Sequence, residues 1–216
     1  MILNTIKAVL AGSILTVALT LAPVGNNSYA QTKVEPQAIE DIKLLSKLSN
    51  YNYKVYKQGL DFHVYFTSSI KSKEAYIPLV HKMLELDSDN RIFLHLDNPG
   101  GSVFTGLYII DALKRTKAES IAVVTSGAFS MAALLSCSTD KLVINDHAFL
   151  MFHTWSVGGL GGKGSEILEI VKAIDHTIRA SLEGQCARLL STAEIEKIMN
   201  GTDVYLYGTR INKVQQ

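Results

Sequence analysis

From residue 60 to residue 153, short runs rich in β-branched and aromatic residues alternate with longer runs whose apolar residues recur at three-and-four spacing. Residues 61–66, 91–96, 121–125, 141–145 and 149–153 read as strands. Residues 74–86 and 103–115, and a stretch opening near Phe129, read as helices. Such alternation builds layered α/β structure and excludes a helical bundle or a β-sandwich. Glycine turns stand at strand ends, at Asp97-Asn98-Pro99-Gly100-Gly101-Ser102 and again at Ser126-Gly127-Ala128, so the unit of strand, glycine turn and helix occurs twice. A glycine-rich stretch at 158–164 leads into a long helix expected over 165–190. Ser191 and Glu194 then have the spacing of a capping box that opens another helix. Residues 31–60 are polar and aromatic with weak periodicity, and read as an arm.

Composition narrows the function classes. Lys plus Arg number 21 against 20 for Asp plus Glu, a formal charge of +1, so no uniformly basic surface exists to neutralise a phosphate backbone and nucleic acid is not an expected partner. The first 30 residues carry one charge, Lys7, then an uncharged apolar run at 8–22. Those 15 residues fall short of the roughly 18–20 that span a bilayer as a helix. Pro23 and Gly25 end the run ahead of Ser28-Tyr29-Ala30, the pattern of a secretory signal peptide cut after Ala30. An uncleaved membrane anchor is the rival reading. Export places Cys137 and Cys186 in an oxidising compartment, where a disulfide persists, although both lie in apolar segments that suit buried thiols equally well. Two distant cysteines do not suggest a metal site, and neither metal nor cofactor is expected.

Ser130 follows a buried strand and opens an apolar helix among Ala128, Met131, Ala132 and Ala133. A hydroxyl so placed stands at a sheet edge beside unpaired helix N–H groups, with small neighbours that leave room for a carbonyl. The same serine also suits a plain helix N-cap. Gly100 and Gly101 allow backbone N–H groups to approach a ligand closely, or form an ordinary tight turn. A serine nucleophile needs a base. Among His63, His81, His95, His147, His153 and His176, His153 is the best placed, because it closes a strand at the rim of the glycine-rich stretch. Asp203, Asp175 and Asp146 compete to orient it, and spacing alone does not choose.

Three segments taken in order, 96–102 with its Pro-Gly-Gly, 127–133 with its Ser-Met pair, and Met151-Phe152-His153, resemble the Clp protease proteolytic subunit family of the ClpP/crotonase superfamily. The resemblance implies repeated ββα units with a handle-like strand and long helix, in a peptidase domain over 61–216. It implies a triad of Ser130, His153 and Asp203, with the N–H groups of Gly100 and Met131 as oxyanion hole and Gly101 as close alternative to the first. It implies a peptide or unfolded-protein substrate lying along Gly158 and Gly159, and a ring-shaped homo-oligomer. Thr154 and Trp155 replace the family's usual Gln-Pro and change the peptide-binding pocket; Tyr205-Leu206-Tyr207 replaces its alanine- and glutamate-rich segment. An exported member would lack the ATP needed by an unfoldase partner. Two other readings stand beside this one. The first is a non-hydrolytic peptide- or acyl-thioester-binding relative. The second is a membrane-tethered protease like the signal peptide peptidases, with Lys141 or Lys163 in a Ser-Lys dyad.

Overall fold

The computed structural model describes residues 4–10, 13–19, 48–50, 52–159 and 161–214. They fall into two units, one ending at Lys47 and one beginning at Leu48. In the first, β1 (Asn4–Leu10) pairs antiparallel with β2 (Ser13–Leu19), from Asn4 opposite Leu19 to Leu10 opposite Ser13. Residues 4–10 and 13–19, within the segment that reads as a signal peptide, thus pair as two strands here, consistent with their Ile, Val and Thr content. The expected cut after Ala30 lies outside the described residues. Among the described residues no helix is long and apolar enough to cross a membrane.

The second unit has two sheets. The larger runs in the order β3 (Tyr53–Gln58), β4 (Asp61–Phe66), β5 (Arg91–His95), β6 (Glu119–Val124), β8 (Lys141–Ile144). Its β3–β4 pair is antiparallel and the remaining pairs are parallel. The smaller sheet places β9 (Phe149–Phe152) between β10 (Val204–Tyr207), antiparallel, and β7 (Gly127–Phe129), parallel. The helices are α1 (Ile77–Glu85), α2 (Val103–Arg115), α3 (Met131–Cys137), α4 (Gly164–Gln185), α5 (Thr192–Met199) and α6 (Gly208–Val214). The runs β6-β7-α3 and β8-β9-α4 repeat the expected ββα unit.

Two expectations are corrected. The stretch expected as an arm contains β3, which closes the sheet edge through the turn at Gly59 (φ +61°), so the folded unit begins before residue 61. The handle-like strand is not formed: residues 154–159 and 161–163 are irregular and lead directly into α4. A strand needs an edge to pair with, and a glycine-rich exposed segment has neither partner nor packing side chains to hold it extended.

Alternation along the strands sets the core. In β5, Ile92 and Leu94 are fully buried, followed by Leu96, while Arg91, Phe93 and His95 face the other side. Each fully buried aliphatic side chain contributes roughly 1.5–3 kcal/mol by leaving water. On the outer face His95 stacks on Tyr65 with centroids 3.9 Å apart, His63 stacks on Phe93 at 4.6 Å, and His63 Nδ1 lies 3.1 Å from His95 Nε2. Burial holds the His95 imidazole down to about 4, with His63 adding and Asp97 opposing. Burial lowers His63 too, against the pull of Asp61.

Both rings are therefore neutral in the folded protein near pH 7. As pH falls through about 6.5, the unfolded chain takes up protons that the folded chain refuses until about 4, so stability should fall across that window. Denaturant midpoints measured from pH 7 to pH 4 should show this decline, and His95→Gln should flatten it. A wild-type midpoint constant over that range would contradict the assignment.

Candidate active site

Ser130 is the one non-glycine residue with positive φ among the described residues, at φ 56°, ψ −123°. That geometry costs about 1–3 kcal/mol and is kept only where the surroundings impose it. They do: Ser130 N–H donates to Met151 O at 2.7 Å, which locks the β7-to-α3 elbow onto β9. The N-cap alternative does not hold, because the Ser130 side chain makes no capping hydrogen bond and its backbone lies outside the extended region that caps adopt. The hydroxyl is not spent on the helix.

The Pro-Gly-Gly turn packs directly against this elbow. A Cβ on Gly100 would stand 2.6 Å from Phe129 O, 2.8 Å from Ser130 Cβ and 3.0 Å from Met131 N. Gly100 N–H, expected to face an oxyanion, instead donates to Asn98 Oδ1 at 2.8 Å, while Asn98 Nδ2 donates to Ser68 O at 2.6 Å. Gly101 differs. Ile70 N–H donates to Gly100 O and Ser102 N–H to Ile70 O, both at 2.8 Å, so in this parallel bridge Gly101's own N–H turns away from Ile70. Met131, first residue of α3, has an N–H outside the intrahelical ladder. Gly101 N–H and Met131 N–H thus take part in none of these bonds.

Gly101 has φ +144°, and a Cβ there would lie 2.1 Å from Ile70 O. Gly101→Ala should therefore destabilise the protein by at least about 2 kcal/mol and displace the turn from Ser130. Denaturant unfolding measures this, and an unchanged midpoint would show that the turn is not held as described.

His153 follows β9 immediately and is half-buried. Asp203 immediately precedes β10, whose Val204 is paired with Phe152, so Asp203 stands one step beyond that pair, across from His153. The two competing acids are engaged elsewhere. Asp146 lies before the opposite end of β9 and accepts from Asn212 Nδ2 at 2.8 Å, while Asp175 Oδ1 accepts from Trp155 Nε1 at 2.5 Å. Lys141 and Lys163 pair with Glu119 and Glu166 respectively, and neither lines the cleft.

Ser130 and His153 open onto one cleft. It is also lined by Val103, Met131, Leu134, Phe152 and Trp155, and by Ile178 and Leu182 of α4. Among the described residues no hydrogen bond joins Ser130 to His153 or His153 to Asp203. Thr154 is half-buried beside His153, whereas Gly158 and Gly159 are exposed and do not line the cleft. No group of three or more metal-ligating side chains occurs among the described residues.

Residues 47–209 match the Clp protease family over most of the chain. The chain belongs to the Clp protease family. Among relatives of this Clp family chain, the ATP-dependent Clp protease proteolytic subunit 2 of Prochlorococcus marinus subsp. pastoris is 34% identical over 138 residues, covering 58% of this chain and 64% of that protein. Proteolytic subunit 3 of a Synechococcus species is 33% identical over 138 residues, with the same coverage. Proteolytic subunit 1 of Prochlorococcus marinus is 31% identical over 120 residues, 53% of this chain and 61% of that one. The chain thus spans less than two thirds of the length of the relatives it matches.

Two features of this Clp family chain escaped sequence reasoning. Asn98 has a tight-turn signature, but only the folded turn shows that its side chain takes the Gly100 amide. The Trp155–Asp175 bond joins residues 20 apart, and nothing in either segment announces it.

Proposed function

We propose that this chain is an exported serine endopeptidase that cleaves short or unfolded polypeptides. The observation that carries the reading is the strained Ser130 elbow, its hydroxyl free of capping, opening with His153 onto one apolar cleft. Ser130 Oγ attacks the scissile carbonyl, and His153 accepts its proton and passes it to the leaving amine. Asp203 fixes the imidazole tautomer. The N–H groups of Met131 and Gly101 bind the oxyanion; Gly101 takes the place expected of Gly100, whose N–H already serves Asn98. Two donors aimed at developing charge in a water-poor cleft supply most of the rate gain in such chemistry.

Export is supported by the apolar leader with its small-residue triplet, and by the Cys137–Cys186 disulfide, which persists in oxidising compartments. An exported enzyme works without nucleotide, which separates it from relatives named ATP-dependent. Self-assembly is supported by the exposed apolar residues of α4, Leu168 and Ile170 being 54% and 44% exposed, a surface suited to a second copy.

The test is incubation of purified protein, isolated from its exporting host, with an unstructured polypeptide and a fluorogenic peptide, without ATP. Cleavage of both, with the mature N-terminus at Gln31, is the expected result. Inactivity of the assembled protein on every peptide tried would overturn the reading.

A further inference from the structure

The Pro-Gly-Gly turn carries two bridges, from Asn98 to Ala128 of β7 and from Gly101 to Ile70. Between them Gly100 is held at both polar atoms. Its N–H donates to Asn98 Oδ1 at 2.8 Å, and its carbonyl oxygen accepts from Ile70 N–H at 2.8 Å and from Ser69 Oγ at 2.9 Å. A planar trans peptide points its C=O and its N–H in opposite directions, so whatever holds Gly100 O also aims Gly101 N–H. That N–H therefore points away from Ser69 and Ile70. The turn meets the Ser130 elbow at Gly100, whose Cβ would stand 2.8 Å from Ser130 Cβ.

Asn98 joins these grips into one unit. It is 2% exposed, and a buried side-chain amide needs partners at both ends. Oδ1 takes Gly100 N–H, Nδ2 donates to Ser68 O at 2.6 Å, and the Asn98 main chain pairs with Gly127 O and Phe129 N–H of β7. One residue thus links the turn, the segment that carries Ser69, and the strand that leads into the elbow. Gly100 and Gly101, at φ +90° and +144°, have no side chains to resist rotation of the peptide between them. Its orientation rests on these hydrogen bonds.

We infer that Asn98 and Ser69 are positioning residues for peptide hydrolysis, locking the Gly100–Gly101 peptide so that Gly101 N–H is aimed at the oxyanion formed when Ser130 attacks. Both act through Gly101, and neither touches substrate. The inference rests on the peptidase reading. It deepens that reading by naming what holds one oxyanion donor in place.

The test measures kcat, KM, the inhibition constant of a peptide aldehyde and the denaturant midpoint on one set of variants. The aldehyde adds to Ser130 Oγ, its C=O electron pair moving to oxygen and the hydroxyl proton to His153, so the adduct presents an oxyanion to the same donors. Asn98→Ala should lower kcat about 100-fold, the cost of a catalytic group displaced by about 1 Å. The inhibition constant of the aldehyde should rise by about the same factor, with KM within about 2-fold of wild type. Ser69→Ala should lower kcat about 10-fold, less than Asn98→Ala because Ile70 N–H still holds Gly100 O. Asn98→Asp keeps an acceptor for Gly100 N–H, and should recover kcat to within about 10-fold of wild type.

A merely structural Asn98 would shift the denaturant midpoint and leave the ratio of the aldehyde constant to KM alone. An active wild type whose kcat and aldehyde binding are unchanged in Asn98→Ala, or are lost equally in Asn98→Ala and Asn98→Asp, would overturn the inference and leave the peptidase reading standing. If Asn98→Ala does not fold, Ser69→Ala decides, and full kcat in that variant overturns the inference. Absence of all hydrolysis by wild type would overturn the peptidase reading and the inference with it.

Discussion

Ser130→Ala should lower kcat by about 10⁶-fold, as expected when one member of a cooperating nucleophile and base is removed. Its folding stability should stay within about 0.5 kcal/mol of wild type. The two halves of this expectation come from one observation: the side chain makes no capping hydrogen bond, so its removal leaves α3 with the same partners. The strained backbone is imposed by the Ser130 N–H to Met151 O bond at 2.7 Å, which alanine retains. Peptide hydrolysis and denaturant unfolding measured on the same preparations check both. A large loss of stability with the loss of activity would show Ser130 to be structural.

The second large effect concerns the disulfide between Cys137 and Cys186. The cysteines lie 49 residues apart with Cα atoms separated by 5.0 Å, joining the end of α3 to the end of α4. Closing a loop of that length removes unfolded-state entropy equivalent to about 4 kcal/mol in the chain-entropy account. The double variant Cys137→Ala, Cys186→Ala should lose stability of that order, measured by the shift of the denaturant midpoint.

The consequence reaches the cleft. Met131 and Leu134 of α3 and Ile178 and Leu182 of α4 line the same cleft as Ser130, so the bond ties together two helices that form it. Activity of the double variant should therefore fall at denaturant concentrations where its β-sheet signal is still native. Coincident loss of activity and sheet structure, with an unshifted midpoint, would contradict this. Because Cys186 is fully buried and Cys137 is 4% exposed, reductants should act only slowly on the native protein.

Where sequence and structure agree, the pattern was local and periodic. Helix α2 spans Val103–Arg115 as the three-and-four spacing requires, and β5 begins at Arg91 with buried and outward residues alternating. The Ser130 elbow and the glycine turn were legible for the same reason: a strand end, a small-residue turn and a helix start are contiguous. What was not legible depends on distant pairing. β7 is three residues long and shows itself only through its ladder to β9, and β3 exists because β4 offers an edge. The placement of Asp203 across from His153 follows from the antiparallel register of β10, which its unusual Tyr205-Leu206-Tyr207 sequence does not disclose. The disulfide and the Trp155–Asp175 bond both join α4 to other elements, and its position cannot be read from its own amphipathicity.

The central claim is that Ser130 is an activated nucleophile. Intact mass spectrometry of the purified protein before and after treatment with a fluorophosphonate, with Ser130→Ala alongside, tests it most directly. One adduct on the wild type, absent from the variant and diminished in His153→Ala, is the predicted result. A folded, oligomeric wild type that takes no adduct, or one that reacts equally in Ser130→Ala, would contradict the account.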